Sequence, residues 1–210
     1  MDQDIGAGEM FDVARIRSAV AAIAECFPPF QQGGVAPRAG ICILLSGARD
    51  PEIALIERAP NLRMHASQWG LPGGKVDRDE TVMQAALREL QEELGVILSE
   101  TSVLGQLDTY LTPSGFLMCP FVCVDPKNQT LVPNLIEVAS AFTLRVSELV
   151  DPDRFETFEM SHTRRISIRM KVNGGHLYAP AAAILFQFRE LLCGRVTSVS
   201  QYEPPMFAWY

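Results

Sequence analysis

The stretch that most constrains this chain is a glycine turn running into a glutamate-rich helix. It reads Gly73-Gly-Lys-Val-Asp-Arg-Asp-Glu80, continues through Thr81 to Leu87, and ends in Arg88-Glu-Leu-Gln-Glu-Glu-Leu-Gly-Val96. At about 100° per residue, Val82 to Leu94 collects Met83, Leu87, Leu90 and Leu94 into one narrow stripe, with Glu89, Glu92 and Glu93 roughly opposite. One face is therefore expected to pack and the other to be crowded with carboxylates. Like charges four residues apart, as Glu89 and Glu93 are, cost a bare helix about 0.2–0.5 kcal/mol. A cation is the natural reason to keep them together. Hard, oxygen-seeking Mg²⁺ (or Mn²⁺) fits, because such an ion takes a few carboxylates and a substrate's phosphates while keeping several waters. Arg88 is placed to hold Glu89 or Glu92. Leu71-Pro-Gly-Gly74 lets the main chain approach the helix start closely, and a carbonyl there could complete the metal site.

The rest of the chain frames that segment. With 210 residues, 48% of them apolar, one domain with trimmings is expected: an N-terminal helix and linker over 1–36, a main domain over 37–195 and a tail over 196–210. Eighteen Lys and Arg against twenty-five Asp and Glu leave a net charge of -7, which argues against nucleic acid as a partner. Five cysteines without a CxxC pair suggest neither a disulfide framework nor a zinc knuckle, so a reducing compartment is expected. The start of the chain lacks a basic leader and no apolar run reaches the ~20 residues that span a bilayer, so the expectation is a cytoplasmic protein with no membrane partner. Asp12 can cap a helix reaching about Cys26, and residues 27–34 read as a linker. Strands are expected over 39–45 and 53–58 as one hairpin, over 103–111 and 116–124 as another, and over 139–146 and 166–172, with a closing helix over 181–192. Mixed strands and helices without βαβ alternation favour an α/β (α+β) sandwich.

Glycine, five residues, Glu80, seven residues and Arg-Glu-Leu-x-Glu-Glu-x-Gly-Val together resemble the signature of the Nudix hydrolases, complete from Gly74 to Val96. This resemblance implies a Nudix fold, a mixed β-sheet sandwiched between α-helices. It also implies a pyrophosphohydrolase, an acid anhydride hydrolase that uses divalent metal to cleave a nucleoside diphosphate derivative at phosphorus. Carried over by position, it makes Glu89 and Glu93 the first metal ligands, with Glu92 and the carbonyl of Gly73 beside them, and gives Arg88 the task of orienting Glu89. Glu80 is either an indirect metal contact or a favourable first-turn charge. The general base is Glu89 or an acid from a later loop, Glu137 in Asn134-Leu-Ile-Glu-Val138.

Ala54 to Gly74 further resembles the additional motif of the coenzyme A diphosphatase subfamily, with Arg58, Arg63, Gln68 and Pro72-Gly-Gly74 at matching places. The likeness continues through 107–116, 137–142 and the alanine-rich start of the last helix, covering about Pro37 to Leu192. It implies hydrolysis of coenzyme A or an acyl-CoA to 3',5'-ADP and (acyl-)4'-phosphopantetheine. Arg58, Arg63 and His65 can give charge-assisted hydrogen bonds to the substrate's phosphates. Ser67 replaces a usual glycine, Trp69-Gly-Leu71 replaces a segment ending in phenylalanine, and the spacing to Glu80 is that of the general signature. These departures keep open another nucleotide substrate (a nucleotide sugar, a dinucleotide or a damaged nucleoside triphosphate) and a non-catalytic nucleotide-sensing module. Trp69 is expected to pack rather than stack on a base. The N-terminal helix and the apolar tail could cover the face of a homodimer, though packing of the tail on its own domain is the stronger expectation.

Overall fold

The computed structural model describes residues 11–23, 38–161, 163–172 and 174–205. The expected linker over 27–34, the last turn of the first helix to Cys26, Asn173 and the end of the tail from 206 lie outside the described residues. In chain order the elements are α1 (Val13–Ile23), β1 (Arg38–Ser46), β2 (Glu52–Arg58), β3 (Trp69–Gly70), β4 (Gly73–Lys75) and α2 (Val82–Leu94). They continue with β5 (Val103–Gln106), β6 (Tyr110–Leu111), β7 (Leu117–Asp125), β8 (Val138–Arg145) and α3 (Val146–Leu149). The chain then forms β9 (Phe155–Glu159), β10 (Ile166–Val172), β11 (Gly175–Tyr178) and α4 (Ala181–Leu192).

β1 is the axis of the fold. It is buried from Ala39 to Leu45, as its unbroken apolar run requires, and it pairs in parallel with β7 from Arg38↔Leu117 to Ser46↔Asp125. Its alternating side chains feed two cores: Ile41, Ile43 and Leu45 face α1, α4 and β10, while Cys42 and Leu44 face α2. β2 divides likewise, Ile53 and Leu55 to the first core and Ala54 and Ile56 to the second. The expected hairpin of β1 and β2 exists only at its closed end, Leu45↔Ile53 and Ser46↔Glu52. Beyond it the strands part, β8 covers the far side of β2, and the segment carrying β3 and β4 enters the gap. There β3 pairs with β2 and β4 pairs with β1, at Ala39↔Lys75, Gly40↔Gly74 and Ile41↔Gly73. The glycine turn is thus held inside the sheet and not on a free loop. The second hairpin is present as β5 and β6, both antiparallel to β7.

A second, three-stranded sheet, β11-β10-β9, was not expected from the sequence beyond β10. Phe155–Glu159 is short and carries two glutamates, and β11 opens on the second of two glycines, so neither carries a strand signal of its own; pairing with β10 makes them strands. At the N-terminus the Asp12 carboxylate accepts from the Arg15 N–H (2.7 Å), the expected cap, and Ile16, Val20 and Ile23 are buried. The described part of the tail packs on its own domain: the Glu203 N–H donates to Ile166 O (3.0 Å), the Tyr110 hydroxyl donates to Tyr202 O, and Pro204 and Pro205 are buried.

α2 begins at a capping box, with Thr81 and Gln84 satisfying each other's N–H groups, and ends at left-handed Gly95 (φ 70°). Its inward face differs from the expected stripe. Val82, Ala85, Ala86, Leu90, Glu93 and Leu94 are buried, while Met83 and Leu87 are only half-buried. The cause is Gly40: a Cβ there would lie 2.2 Å from Val82 O and 2.6 Å from Ala86 N, so only glycine lets the helix rest its small residues on β1. That contact turns Glu93 toward the sheet.

Candidate functional site

Rotation of α2 onto β1 brings Glu89 and Glu93 toward the glycine turn, and the loop before β8 adds Glu137. One oxygen from each of these three carboxylates lies within 4.8 Å of the others. Among the described residues no other set of His, Cys, Asp or Glu gathers this way. The loop carrying Glu137 is laced to α2 through its main chain. Val132 N–H donates to Leu94 O (2.8 Å), Asn134 N–H to Glu93 O (3.0 Å), and Glu137 N–H to Asn134 O (2.9 Å). On its other side Ala59 N–H donates to Glu137 O (2.8 Å), which ties it to the loop after β2.

Glu93 is 1% exposed. Its carboxylate accepts the Gly73 N–H (2.9 Å) and lies 3.5 Å from Arg58 Nη1. Burial pushes its pKa up to about 7, the Gly73 N–H and Arg58 oppose that, and Glu89 and Glu137 reinforce it. Burial likewise raises Glu89, against the pull of Arg88. Carboxylates so close and so poorly hydrated cannot all ionise cheaply without a cation between them. The donors are all hard oxygen, which suits a divalent ion of the Mg²⁺ or Mn²⁺ type.

Arg88 uses all five of its N–H donors. Nε and Nη2 grip the two oxygens of Glu80 (3.1 and 2.9 Å), Nη1 serves Glu89 (3.0 Å) and Glu92 (2.8 Å), and Nη2 also reaches Lys75 O (3.0 Å). Hydrogen bonding to Glu80 above all holds the guanidinium well above its usual pKa and draws the Glu80 carboxyl below its own. Glu80 accepts the Asp77 N–H as well (2.6 Å), so this residue fastens the turn to α2. Glu92, half-exposed and bound to Arg88, stands outside the group of three.

Most of the remaining candidates lie at the end of β2 and in the loop that follows it. Arg58 ends β2, and its Nε is buried with no hydrogen-bond partner. The loop after it closes back through Arg58 N–H to Gln68 O (2.9 Å) and Ser67 N–H to Arg58 O (3.2 Å), which sets Gln68 beside Arg58. His65 Nδ1 lies 3.2 Å from Gln68 Oε1, and Arg63 is exposed in the same loop. Gly74 lies against Glu89, whose Oε1 would be 2.2 Å from a Cβ at this position. Trp69 packs on Phe142 (ring centroids 4.3 Å apart), as expected. Sequence reasoning missed the Gly73 N–H as a partner of Glu93, and Asn134 as the residue that shapes the loop. Val-Pro-Asn134 is a turn signal, but nothing local points it at α2.

No described helix is long and apolar enough to cross a membrane. Comparison with known proteins gives relatives described as uncharacterized Nudix hydrolase NudL. That of Yersinia enterocolitica is 38% identical over 107 residues, 50% of this chain and 55% of the relative. That of Yersinia pestis is 34% identical over 134 residues, 63% of this chain and 67% of the relative. The match thus spans little over half of the first relative and about two thirds of the second. Among solved structures, a MutT/nudix family protein from Enterococcus faecalis aligns with a TM-score of 0.48 at 16% identity, over 71% of this chain and 53% of that one. The NUDIX domain of Shewanella oneidensis NrtR, solved with ADP ribose, aligns with a TM-score of 0.44 at 19% identity, over 62% and 85%. A profile of the NUDIX domain matches residues 36–164, a span that holds the whole carboxylate cluster and its arginine: the chain has the Nudix fold and belongs to the Nudix family.

Proposed function

We propose that this chain is a divalent-metal-dependent diphosphatase of coenzyme A or its acyl derivatives, giving 3',5'-ADP and (acyl-)4'-phosphopantetheine in the cytoplasm. The observation that carries the hydrolase reading is the meeting of Glu89, Glu93 and Glu137, with Glu93 buried and Arg88 bracing Glu89. In this reading Glu89 and Glu93 hold Mg²⁺ or Mn²⁺ with the Gly73 carbonyl. Glu92 serves them by clamping Arg88, and Glu80 keeps the turn on the helix. A bound divalent ion would neutralise the diphosphate and acidify a water. Glu137, which comes from the loop before β8 and is not held by Arg88 as Glu89 on α2 is, takes the proton of the attacking water. The water oxygen joins one phosphorus as the P–O–P bridge breaks, and the other phosphate leaves. Arg58, whose side chain is partly exposed, offers its guanidinium to a phosphate, and Gln68, His65 and Arg63 extend that surface. Support for coenzyme A is the run from Ala54 to Gly74, whose arginines and glutamine flank the carboxylates.

The test is a product assay with Mg²⁺ or Mn²⁺ against coenzyme A, acetyl-coenzyme A, ADP-ribose, NADH, a dinucleoside polyphosphate and a nucleoside triphosphate, read by mass spectrometry. Release of 3',5'-ADP and 4'-phosphopantetheine is expected. Cleavage only of another member would keep the chemistry and discard the substrate, and no cleavage of any, with metal bound, would favour a sensing module. Arg63→Ala is expected to weaken turnover of coenzyme A far more than that of dephospho-coenzyme A; equal losses would remove the 3'-phosphate from the reading. Arg88→Lys is expected to lower kcat by about 10- to 100-fold and to raise the metal concentration needed, because one ammonium cannot replace a five-donor fork. Unchanged metal dependence would sink that role.

A further inference from the structure

The loop that brings Glu137 to the carboxylate cluster also carries an apolar ledge that metal chemistry does not require. Leu135 and Ile136, directly before Glu137, are 75% and 72% exposed. The backbone that carries them is well tied. Asn134 Oδ1 accepts the Ile136 N–H (3.2 Å), and Asn134 O accepts the N–H groups of Glu137 (2.9 Å) and Val138 (2.8 Å). Because consecutive Cα atoms are about 3.8 Å apart, Ile136 and Leu135 branch from the chain within about 4 and 8 Å of the Glu137 backbone. Two aliphatic side chains are thus presented to solvent at a set offset from the site, where they add nothing to either core.

We propose that Leu135 and Ile136 are specificity-determining residues that receive the branched alkyl segment attached directly to the diphosphate of coenzyme A. The inference rests on the coenzyme A reading above and extends it to a recognition site for the pantoyl group. Reach selects the occupant. Residues whose backbone lies within about 8 Å of the Glu137 backbone are in range of the first group beyond a diphosphate cleaved there, whereas a thioester acyl chain lies a whole pantetheine arm farther away. In coenzyme A that first group carries two methyls on a quaternary carbon. In a nucleotide sugar or a dinucleotide it is a hydroxylated ring, whose polar groups two bare aliphatic side chains would leave unpartnered. The ledge therefore favours one class of diphosphate over the other.

The two products divide the substrate at the diphosphate and serve as probes. Inhibition of coenzyme A hydrolysis by 4'-phosphopantetheine and by 3',5'-ADP should be measured in the wild-type protein, in Leu135→Ser/Ile136→Ser and in Leu135→Met/Ile136→Leu. Burial of each methyl-sized group is worth up to about fourfold in affinity, so the serine variant should bind 4'-phosphopantetheine about tenfold more weakly. Inhibition by 3',5'-ADP should shift far less, and the apolar replacement should restore the first constant. Equal shifts for both products, or none for either, would overturn the ledge alone. So would a halving of the sedimentation mass in the serine variant without a selective shift, since the ledge would then bind a second copy of the chain. Failure of the wild-type protein to cleave coenzyme A or its acyl derivatives would instead reject the reading on which the ledge rests.

Discussion

Glu93→Gln is expected to lower metal-dependent hydrolysis by roughly three orders of magnitude while leaving the protein folded. The amide keeps the shape and can still accept the Gly73 N–H, but it removes the one fully buried charge from the cluster. The same substitution should change the pH dependence of metal-free stability. In the fold Glu93 titrates at about 7, against an ordinary value of 4.5, so the protonated form is the one the fold favours. Its contribution is complete below about 4.5 and is lost as the pH rises through about 7, a change of about 3 kcal/mol, to which raised Glu89 adds in the same direction. Thermal unfolding without metal should therefore show wild-type protein losing stability from pH 5 to pH 8 more steeply than Glu93→Gln. Magnesium at pH 8 should stabilise the wild type and leave the variant almost unmoved. Parallel curves for the two proteins, or equal stabilisation by magnesium, would remove Glu93 from the metal site.

Gly73→Ala should be the most damaging substitution for the fold itself. Gly73 has φ +151°, a region side chains avoid, and an added Cβ would sit 2.4 Å from Gly40 O and 2.9 Å from Ile41 Cα. Both are backbone atoms of the central strand, so β4 must move away from β1. A loss of about 3 kcal/mol or more is expected from the denaturant midpoint. Any protein that still folds should bind metal poorly, because the N–H that steadies Glu93 moves with the turn. Gly70→Ala is the control: it lies three residues earlier in the same inserted segment, with nothing within 4 Å of its added Cβ. Comparable losses at the two positions would mean that close approach to β1 is not what Gly73 provides.

The expected α2 matches the observed Val82–Leu94, and Arg88 meets Glu92 because positions four apart on a helix are neighbours whatever surrounds it, while its bond to the adjacent Glu89 depends on the guanidinium being held by Glu80 and Lys75 O. The stripe of Met83 and Leu87 was the wrong guide to the packed face, since hydrophobicity on α2 does not register that Gly40 leaves room for Val82 and Ala86 to rest on β1. The hairpin of β1 and β2 was legible at its turn, but not its splitting, because the partner that enters the gap comes from the glycine turn farther along the chain. The strands β9 and β11 were invisible for a similar reason: each owes its conformation to pairing with β10.

What the sequence determined by itself is the family, the glutamate helix and the arginine within it, all matters of local spacing that a regular helix carries over into the fold. Only the tertiary structure decided that Glu93 is buried, that Arg58 approaches it, that Glu137 and not Glu92 completes the group of three, and that Leu135 and Ile136 before it are left exposed. Those outcomes depend on backbone hydrogen bonds between distant loops and on the missing side chains at Gly40 and Gly73, which set how closely separate segments approach.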